Sequence, residues 1–388
     1  MKATHNSSKS VHICLISDQA IANLLPLLLE KPREAIFLVS PEMKAQGERL
    51  KKLAQPRGIS VTIKEIPSAY DFKAIAGICE EIEKEVGDAD SDLILNVTGG
   101  TKITALAAFQ SFYFNDRRII YLDTFNNQLL QLAPETTSLP VQENLVKVHD
   151  YLVAYGMNPL PTTVLAEEKR RKGLQELAEL LINDDSLLSR LNIAIDRCGN
   201  KSSHINLDLN GLGDKAEMLA GMLMQSGVAE WTSSSNLHIP TPSKIFFCNG
   251  GWLEEYVYWM VKELSLKGLD LAMNVRVEWD GKGKRQTENE FDVLFTHGNR
   301  LHLISCKTSN PERETATGSR ATEALNELDT LADRAGGLFG RAMLVSARKL
   351  SPFDRERAKK MRIELVDGLD VLLLKEHLHA WLTPRKTI

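Results

Sequence analysis

Two alternating segments, Glu290-Phe291-Asp292-Val293-Leu294-Phe295 and Leu301-His302-Leu303-Ile304-Ser305-Cys306-Lys307, flank Gly298-Asn299, a dipeptide suited to a two-residue hairpin turn. With that turn, Phe295 faces His302, Leu294 faces Leu303, Asp292 faces Ser305 and Glu290 faces Lys307. Side-chain period two then gathers Glu290, Asp292, Ser305 and Lys307 on one face and sends Phe291, Val293, Ile304 and Cys306 to a core-facing side. Two carboxylates beside an ammonium suit a hard divalent cation. An ion on Asp292 would lower the pKa of a water, and Lys307 would orient that water or steady charge developing at a phosphorus. The same pattern also describes an exposed sheet face with an ordinary cross-strand Glu–Lys pair. The upstream segment Gly250-Gly251-Trp252-Leu253-Glu254-Glu255-Tyr256-Val257 favours the ion site. Leu253, Val257, Met260 and Leu264 form an apolar helical stripe, with Glu254 at its edge as a third carboxylate and Glu255 expected in solvent.

A second constellation is Asn96-Val97-Thr98-Gly99-Gly100-Thr101-Lys102, which follows the apolar run Leu93-Ile94-Leu95 and opens into a helical stretch from Ile103 to Phe114. Two glycines at a strand-to-helix turn let backbone N–H groups approach a ligand closely. The helix N-terminus adds partial positive charge, and Thr98, Thr101 and Lys102 add donors. This is a pocket for an anion, expected to carry phosphate.

The elements that position these groups follow from hydrophobic periodicity. Strands are predicted at Val11–Ile16, Ala35–Val39, Ile59–Ile63, Leu93–Leu95 and Ile119–Leu122, and helices at Asp18–Leu29 (with Asp18 as cap), Met43–Leu53 and Phe72–Val86. Alternating strands and helices imply a parallel, doubly wound sheet whose ligands sit beyond the carboxyl ends of the strands. Ser17-Asp18-Gln19, after the first strand, and Thr98–Lys102, after the fourth, both lie there. Asn126-Asn127 signals a turn into an antiparallel arm at Gln128–Leu132. Three amphipathic helices, at 164–182, 186–195 and 215–226, then precede two short strands around a serine-rich turn, a winged-helix-like pattern. A connector or dimerisation role is preferred over DNA binding, because Lys215–Ser226 has few basic residues to face phosphates. Pro240 and Pro242 mark a boundary. Beyond it, helix (252–266), hairpin, helix (320–335), strand (342–346), helix and strand follow, with Ser351-Pro352 as an N-cap and first-turn proline. The expected fold is α/β throughout: a Rossmann-like domain at 1–148, a helical winged-helix-like connector at 149–242, and a second α/β domain at 243–388.

The 388 residues are 43% hydrophobic and carry a formal net charge of −4, so nucleic-acid contact would need a local basic patch rather than overall charge. The five cysteines are scattered with no CxxC pair, which argues against a structural zinc site and fits a reducing, cytoplasmic setting. The N-terminus lacks an apolar signal region, and no apolar run approaches the ~20 residues that span a bilayer.

The Asn-x-Thr-Gly-Gly-Thr-Lys loop on a Rossmann-like sheet resembles the CRISPR-associated Rossmann fold (CARF) sensor domain. The helix carrying Glu254 and the hairpin carrying Asp292 and Lys307 are similar to the PD-(D/E)xK, restriction-endonuclease-like superfamily. Their order, with a helical linker between, resembles the cyclic-oligoadenylate-activated ancillary nucleases of type III CRISPR systems. That resemblance implies a homodimer sharing one cyclic oligoadenylate, most often the tetramer. It also implies cleavage of DNA, RNA or both with Mg²⁺ or Mn²⁺. Thr98, Gly99, Gly100, Thr101 and Lys102 then match the ligand loop and Ser17, Asp18 and Gln19 the loop after the first strand. Asp292, Lys307 and Glu254 match the nuclease motif, with Glu254, Asp292 and Glu290 as the carboxylates available to the metal. Ser305 departs from the pattern, since the superfamily usually has Asp or Glu two residues before the lysine. Glu290 or Glu254 is expected to compensate, with a water bridging Asp292 and Ser305. The competing reading is a ligand-responsive transcriptional regulator with an inactive nuclease-like domain. Cleavage of the ligand by the sensor is a side reading, since the Thr98–Lys102 loop holds no histidine or carboxylate.

Overall fold

The computed structural model describes residues 9–86, 92–161, 166–199, 202–281 and 288–383. The first domain alternates β1 (Ser10–Leu15), α1 (Ala20–Glu30), β2 (Glu34–Val39), α2 (Lys44–Ala54), β3 (Ser60–Glu65), α3 (Phe72–Val86), β4 (Asp92–Asn96), α4 (Lys102–Phe114) and β5 (Arg118–Asp123). β6 (Gln128–Ala133) and β7 (Thr137–Pro140) then add antiparallel to give the order β3-β2-β1-β4-β5-β6-β7. β1 to β5 are parallel, and β1 is buried along its whole length because helices cover both faces. The strand order reverses between β1 and β4, so the crevice at this switch point lies between the two loops singled out above.

The sequence reading placed the cap of α1 one residue early. Gln19 occupies its cap position with no side-chain cap bond, and Asp18 precedes it. The expected start at 164 of the first connector helix falls outside the described residues, and α6 there runs Glu168–Ile182.

Two short elements unforeseen from the sequence tie the domains together. α5 (Val148–Ala154) packs on α1 and α2, and β8 (Met157–Pro159) pairs antiparallel with the edge of the second domain's sheet. Their signal is weak because neither exceeds seven residues.

The middle module contains α6, α7 (Asp185–Cys198), β9 (Ile205–Asp208), α8 (Ala216–Gln225) and the hairpin β10 (Glu230–Ser233) and β11 (Asn236–Ile239). β9 completes a three-stranded wing in the order β10-β11-β9.

The last domain begins with α9 (Pro242–Phe246) and α10 (Trp252–Glu263). It continues through β12 (Asp270–Trp279), β13 (Glu288–His297), β14 (Arg300–Lys307), the ribbon β15 (Glu314–Thr315) and β16 (Gly318–Ser319), and α11 (Arg320–Gly336). β17 (Gly340–Ser346), α12 (Pro352–Lys360), β18 (Glu364–Asp367) and α13 (Leu374–Leu382) complete it. Its sheet runs β18-β17-β14-β13-β12-β8. Leu253 and Val257 of α10 belong to the core on one side, and Leu325, Leu328 and Leu331 of α11 to the core on the other. Ser351 caps α12 as expected, accepting the Asp354 N–H at 3.1 Å.

The β13–β14 hairpin has the foreseen register, with Phe295 opposite His302 and Leu294 opposite Leu303. Gly298 and Asn299 both take φ of 58°, as a two-residue primed turn requires. Asn299 is fully buried. Its amide donates to Gln142 O (2.8 Å), its side-chain oxygen accepts Leu145 N–H (2.8 Å), and its carbonyl accepts the Tyr151 hydroxyl (2.7 Å). The tip of the β13–β14 hairpin is thus plugged into the end of the first domain. One apolar core runs from Leu24 and Leu50 through Tyr151 and Leu152 to Leu301 and Leu325.

Asn299→Ala should lower the midpoint of urea unfolding by an amount corresponding to about 2–4 kcal/mol, from two lost buried hydrogen bonds and a left-handed backbone. Asn299→Gly, which relieves the backbone but not the bonds, should recover only part of it. Unchanged midpoints for both would show that the plug contributes nothing.

Candidate functional site

Asp292 is held from three directions. Its Oδ2 accepts the Cys306 N–H at 2.6 Å and the Ser305 hydroxyl at 3.1 Å, and Lys307 Nζ lies 3.7 Å away. Ladder pairing between β13 and β14 runs no further than Val293–Ile304, so Asp292 takes over a backbone donor that the strand would otherwise satisfy. The bond to Ser305 is direct, where a bridging water was expected.

The alternation also breaks at this point. Val275 and Phe291 join the core beneath α11, whereas Met273 and Val293 join the core beneath α10. Phe291 therefore does not share a side with Val293, Ile304 and Cys306 as strict period two predicts. The switch falls where Asn274, with φ 52° on β12, stands across from Asp292 in the β12–β13 register. A left-handed residue in mid-strand twists the pair locally and re-aims the opposing side chain.

Glu254 comes to this point from the first turn of α10. Burial first, then Asp292 and Glu290, push its carboxyl up to about 9. Glu254 Oε2 is buried without a hydrogen-bond partner, as are both amide atoms of the buried Asn274. Glu290, more exposed on β13, is raised by burial and by Asp292. Burial works against the Lys307 ammonium, yet Asp292 and Glu327 outweigh it and raise its pKa. Glu327, on α11, was missed because nothing in its helical pattern sets it apart from a solvated face. Asn274 carried a legible signal: an asparagine interrupting an apolar strand tolerates φ > 0 better than most residues.

Glu255 is not in solvent as expected but 2% exposed. It accepts from Arg170 Nε at 2.9 Å and from the Glu167 N–H at 2.8 Å, which fastens α10 to α6 of the connector.

Among the described residues, no group of three or more His, Cys, Asp or Glu converges as a ready-made cluster. The donor set still fits one hard cation. Glu254 and Asp292 repel each other electrostatically, and Glu254 has a buried orphan oxygen and a carboxyl raised first by burial and then by its carboxylate neighbours.

In the first domain, Gly99 sits where a Cβ would overlap Leu15 O and come within 2.8 Å of Asn23 Nδ2, so only glycine lets the two loops close on each other. Gly100 has φ 77°. Buried Asn96 accepts both Thr98 N–H (3.0 Å) and the Thr98 hydroxyl (2.6 Å), and Thr98 Oγ1 accepts Leu122 N–H (2.8 Å). Thr101 caps α4 and donates to Ala69 O (2.7 Å). Both hydroxyls therefore shape the loop. The amides of Gly99, Gly100 and Thr101 make no backbone hydrogen bond among the described residues, and Lys102 is exposed. Gln19 points the other way: its Oε1 accepts Leu338 N–H (3.1 Å) from the turn joining α11 to β17.

A carboxyl that titrates near 4.5 when unfolded and near 9 when folded keeps a proton that the unfolded chain releases. Stability therefore falls as pH rises through that window. With EDTA present, Tm should drop more steeply from pH 5 to 9 in the parent than in Glu254→Gln, and Mn²⁺ should raise Tm more in the parent. Parallel pH trends would show that Glu254 is not the protonated group.

Family sequence models match in two places: a Card1 CARF domain at residues 11–151 and a Card1-like endonuclease domain at 243–384. Among solved structures, the chain is similar to protein VC1899 from Vibrio cholerae, at 26% identity and TM-score 0.84 over 96% of this chain and 97% of that one. It is also similar to Can2 from Sulfobacillus thermosulfidooxidans, solved in complex with cyclic tetra-adenylate, at 25% identity and TM-score 0.77 over 96% and 99%. A type III CRISPR defence DNA nuclease activated by cyclic oligoadenylate shares the fold at 18% identity and TM-score 0.56, over 88% of this chain and 46% of its own. Comparison with curated proteins finds no match. The chain thus carries a Card1 CARF domain followed by a Card1-like endonuclease domain, with the connector between the two matched stretches.

Proposed function

We propose that the chain is a CRISPR ancillary nuclease that cuts DNA, RNA or both when a cyclic oligoadenylate, the tetramer by preference, occupies its sensor domain. Can2, which covers nearly the whole chain, was solved with that tetramer. The observation that carries the nuclease half is the orphaned Oε2 of Glu254 beside Asp292. Glu254 and Asp292 would hold Mg²⁺ or Mn²⁺, with Glu290 at the rim; when bound, the ion supplies Lewis acidity at the phosphate and lowers the pKa of water. Asp292 is aimed by Ser305 and the Cys306 N–H. Lys307, held protonated by the carboxylates around it, is placed to steady the charge that grows on the phosphate oxygens. Ser305 serves the site by orienting Asp292, and Glu254 takes the place of the missing carboxylate.

In the sensor, the free amides of the Gly99–Thr101 loop, the N-terminus of α4 and Lys102 form the anion cradle, with Ser17 and Asp18 across the crevice. α4 supports a homodimer that shares one ring. Its inward residues Ala107, Ala108 and Phe112 are buried, yet Leu106, Tyr113 and Phe114 are 59%, 53% and 77% exposed, an apolar face suited to a second copy. No helix among the described residues is long and apolar enough to cross a membrane, in keeping with a cytoplasmic role. The regulator reading is disfavoured because α8, which would enter a groove, carries no basic residue.

Gln19 joins the two halves. The loop that faces the ligand also bonds the C-terminal end of α11, and α11 brings Glu327 beside Lys307 roughly 15 Å away along the helix. A ligand that drew Gln19 toward itself would release the α11 turn, and the coupling is the difference in its affinity for the two arrangements.

Asp292→Ala should lower Mn²⁺-dependent cleavage by at least about a hundredfold while cyclic tetra-adenylate binds with unchanged affinity. Retained cleavage would refute the site. Gln19→Ala should change both the tetra-adenylate dissociation constant and the ratio of stimulated to basal cleavage several-fold. An unaltered ratio would remove Gln19 from the coupling.

A further inference from the structure

An open cleft of about 510 Å³ leads to Glu254 and Lys307, and its walls come from two domains. One wall is the segment after β14, with Ser309, Asn310, Arg313 and Arg320. The other is α7 of the connector, with Asn192 and Ile193. Arg313 and Arg320 are seven residues apart, yet the β15–β16 ribbon folds the chain back so that Arg320 N–H bonds Arg313 O at 3.0 Å. Among the described residues neither guanidinium is in a salt bridge, in a chain whose net charge is −4.

α7 is fastened in place. Asn192 Nδ2 donates to Thr308 O (3.2 Å), the residue after Lys307. Arg348 spans the gap, donating to Thr308 O (3.1 Å), to the Ser189 hydroxyl (2.9 Å) and to Asp185 (3.2 Å). A Cβ on Gly250 would come within 2.9 Å of Thr308 Oγ1, so the turn before α10 closes on the same residue. Ile193, half exposed, faces the cleft from this fixed wall, with Asp196 beyond it on the same helix.

We propose that this cleft is the path of the nucleic-acid strand being cut. Arg313 and Arg320 bind its phosphates on one side of the scissile position, and α7 of the connector forms the opposite wall along its sugars and bases. Two guanidiniums outside any salt bridge, Arg320 with only the longer-range charge of Glu323 near it, stand next to an acidic cutting site and favour an anionic polymer there, because they attract the phosphates that the carboxylates repel. The connector is then part of the substrate site through α7, and not through α8, whose residues do not line the cleft. The inference rests on the nuclease reading above.

The test uses the full chain with cyclic tetra-adenylate and Mn²⁺, measuring cleavage KM and its salt dependence on single-stranded and duplex oligonucleotides. Oligonucleotide affinity is measured in parallel on an Asp292→Asn background. Arg313→Ala and Arg320→Ala should each weaken substrate binding about 5- to 10-fold and reduce the slope of log affinity against log salt by about one, without altering tetra-adenylate affinity or the Mn²⁺ shift in Tm. Ile193→Lys should tighten binding and steepen the slope, and Ile193→Glu should do the reverse. Arginine variants with parental KM and slope would overturn the track. Arginine effects with both Ile193 variants unchanged would overturn the connector wall. A parent that cuts neither DNA nor RNA would overturn the nuclease reading and the track together.

Discussion

Two carboxylates, Glu254 and Asp292, are brought together where burial penalises charge, and the rest of the second domain arranges itself around that conflict. The chain meets it by keeping one of them protonated: Glu254 rises to about 9 while Asp292 collects a backbone N–H, a hydroxyl and an ammonium. Such a pair is costly in an apolar setting without a counter-charge, so its presence is an argument for what it holds and not for the stability of the fold. Glu255, one residue on, provides the contrast. It is more deeply buried but paired with Arg170, and it fastens α10 to the connector. Adjacent glutamates on one helix turn thus differ, because Glu255 is in a direct ion pair with Arg170 while Glu254 feels Lys307 only alongside the stronger effects of burial, Asp292 and Glu290.

The same arrangement makes the site an inter-element one. In the superfamily pattern the second carboxylate stands two residues before the lysine, on the hairpin itself. Ser305 occupies that place here and donates to Asp292. The carboxylate proposed to compensate, Glu254, lies on α10, so the proposed geometry depends on how that helix lies against the hairpin. Three features set this placement. The glycine turn closes on Thr308, Arg348 and Asn192 hold the Thr308 carbonyl, and Asn299 anchors the hairpin's far end beside α5. Because a single apolar core continues from the first domain through Tyr151 to Leu325, a shift in the sensor has no soft layer in which to dissipate.

Much of this was legible in the residues. The Gly298-Asn299 turn determines the hairpin register, and the register brings Asp292 to Ser305 and Lys307, because a two-residue primed loop leaves no freedom to slip. The switch-point loops were legible for the same reason: strand order in a doubly wound sheet follows from the alternation of elements. What strict periodicity could not foresee was the twist at Asn274 and Asp292, where one left-handed residue moves Phe291 to the other core. Glu255, Glu327 and the Arg348–Thr308–Asn192 clasp were equally hidden. Each depends on a partner on a different element, well outside the local helical or strand pattern, and that pattern carries no information about such a partner.

The sensor loop shows how far residue type and residue role can separate. Thr98, Gly99 and Thr101 match a ligand motif, yet their side-chain positions are used inside the protein: one hydroxyl ties the loop to Asn96 and β5, another caps α4, and the absent Cβ lets the loop close on Leu15. In the proposed cradle, anion recognition would fall to the backbone amides these residues expose. A hydroxyl that already donates within the fold cannot donate to a phosphate without breaking the loop, whereas an amide aimed outward by that bond can. The motif is therefore better understood as the set of residues that builds a nest of N–H groups than as the set that touches the ligand, and Lys102 is the one side chain in it still free to reach outward.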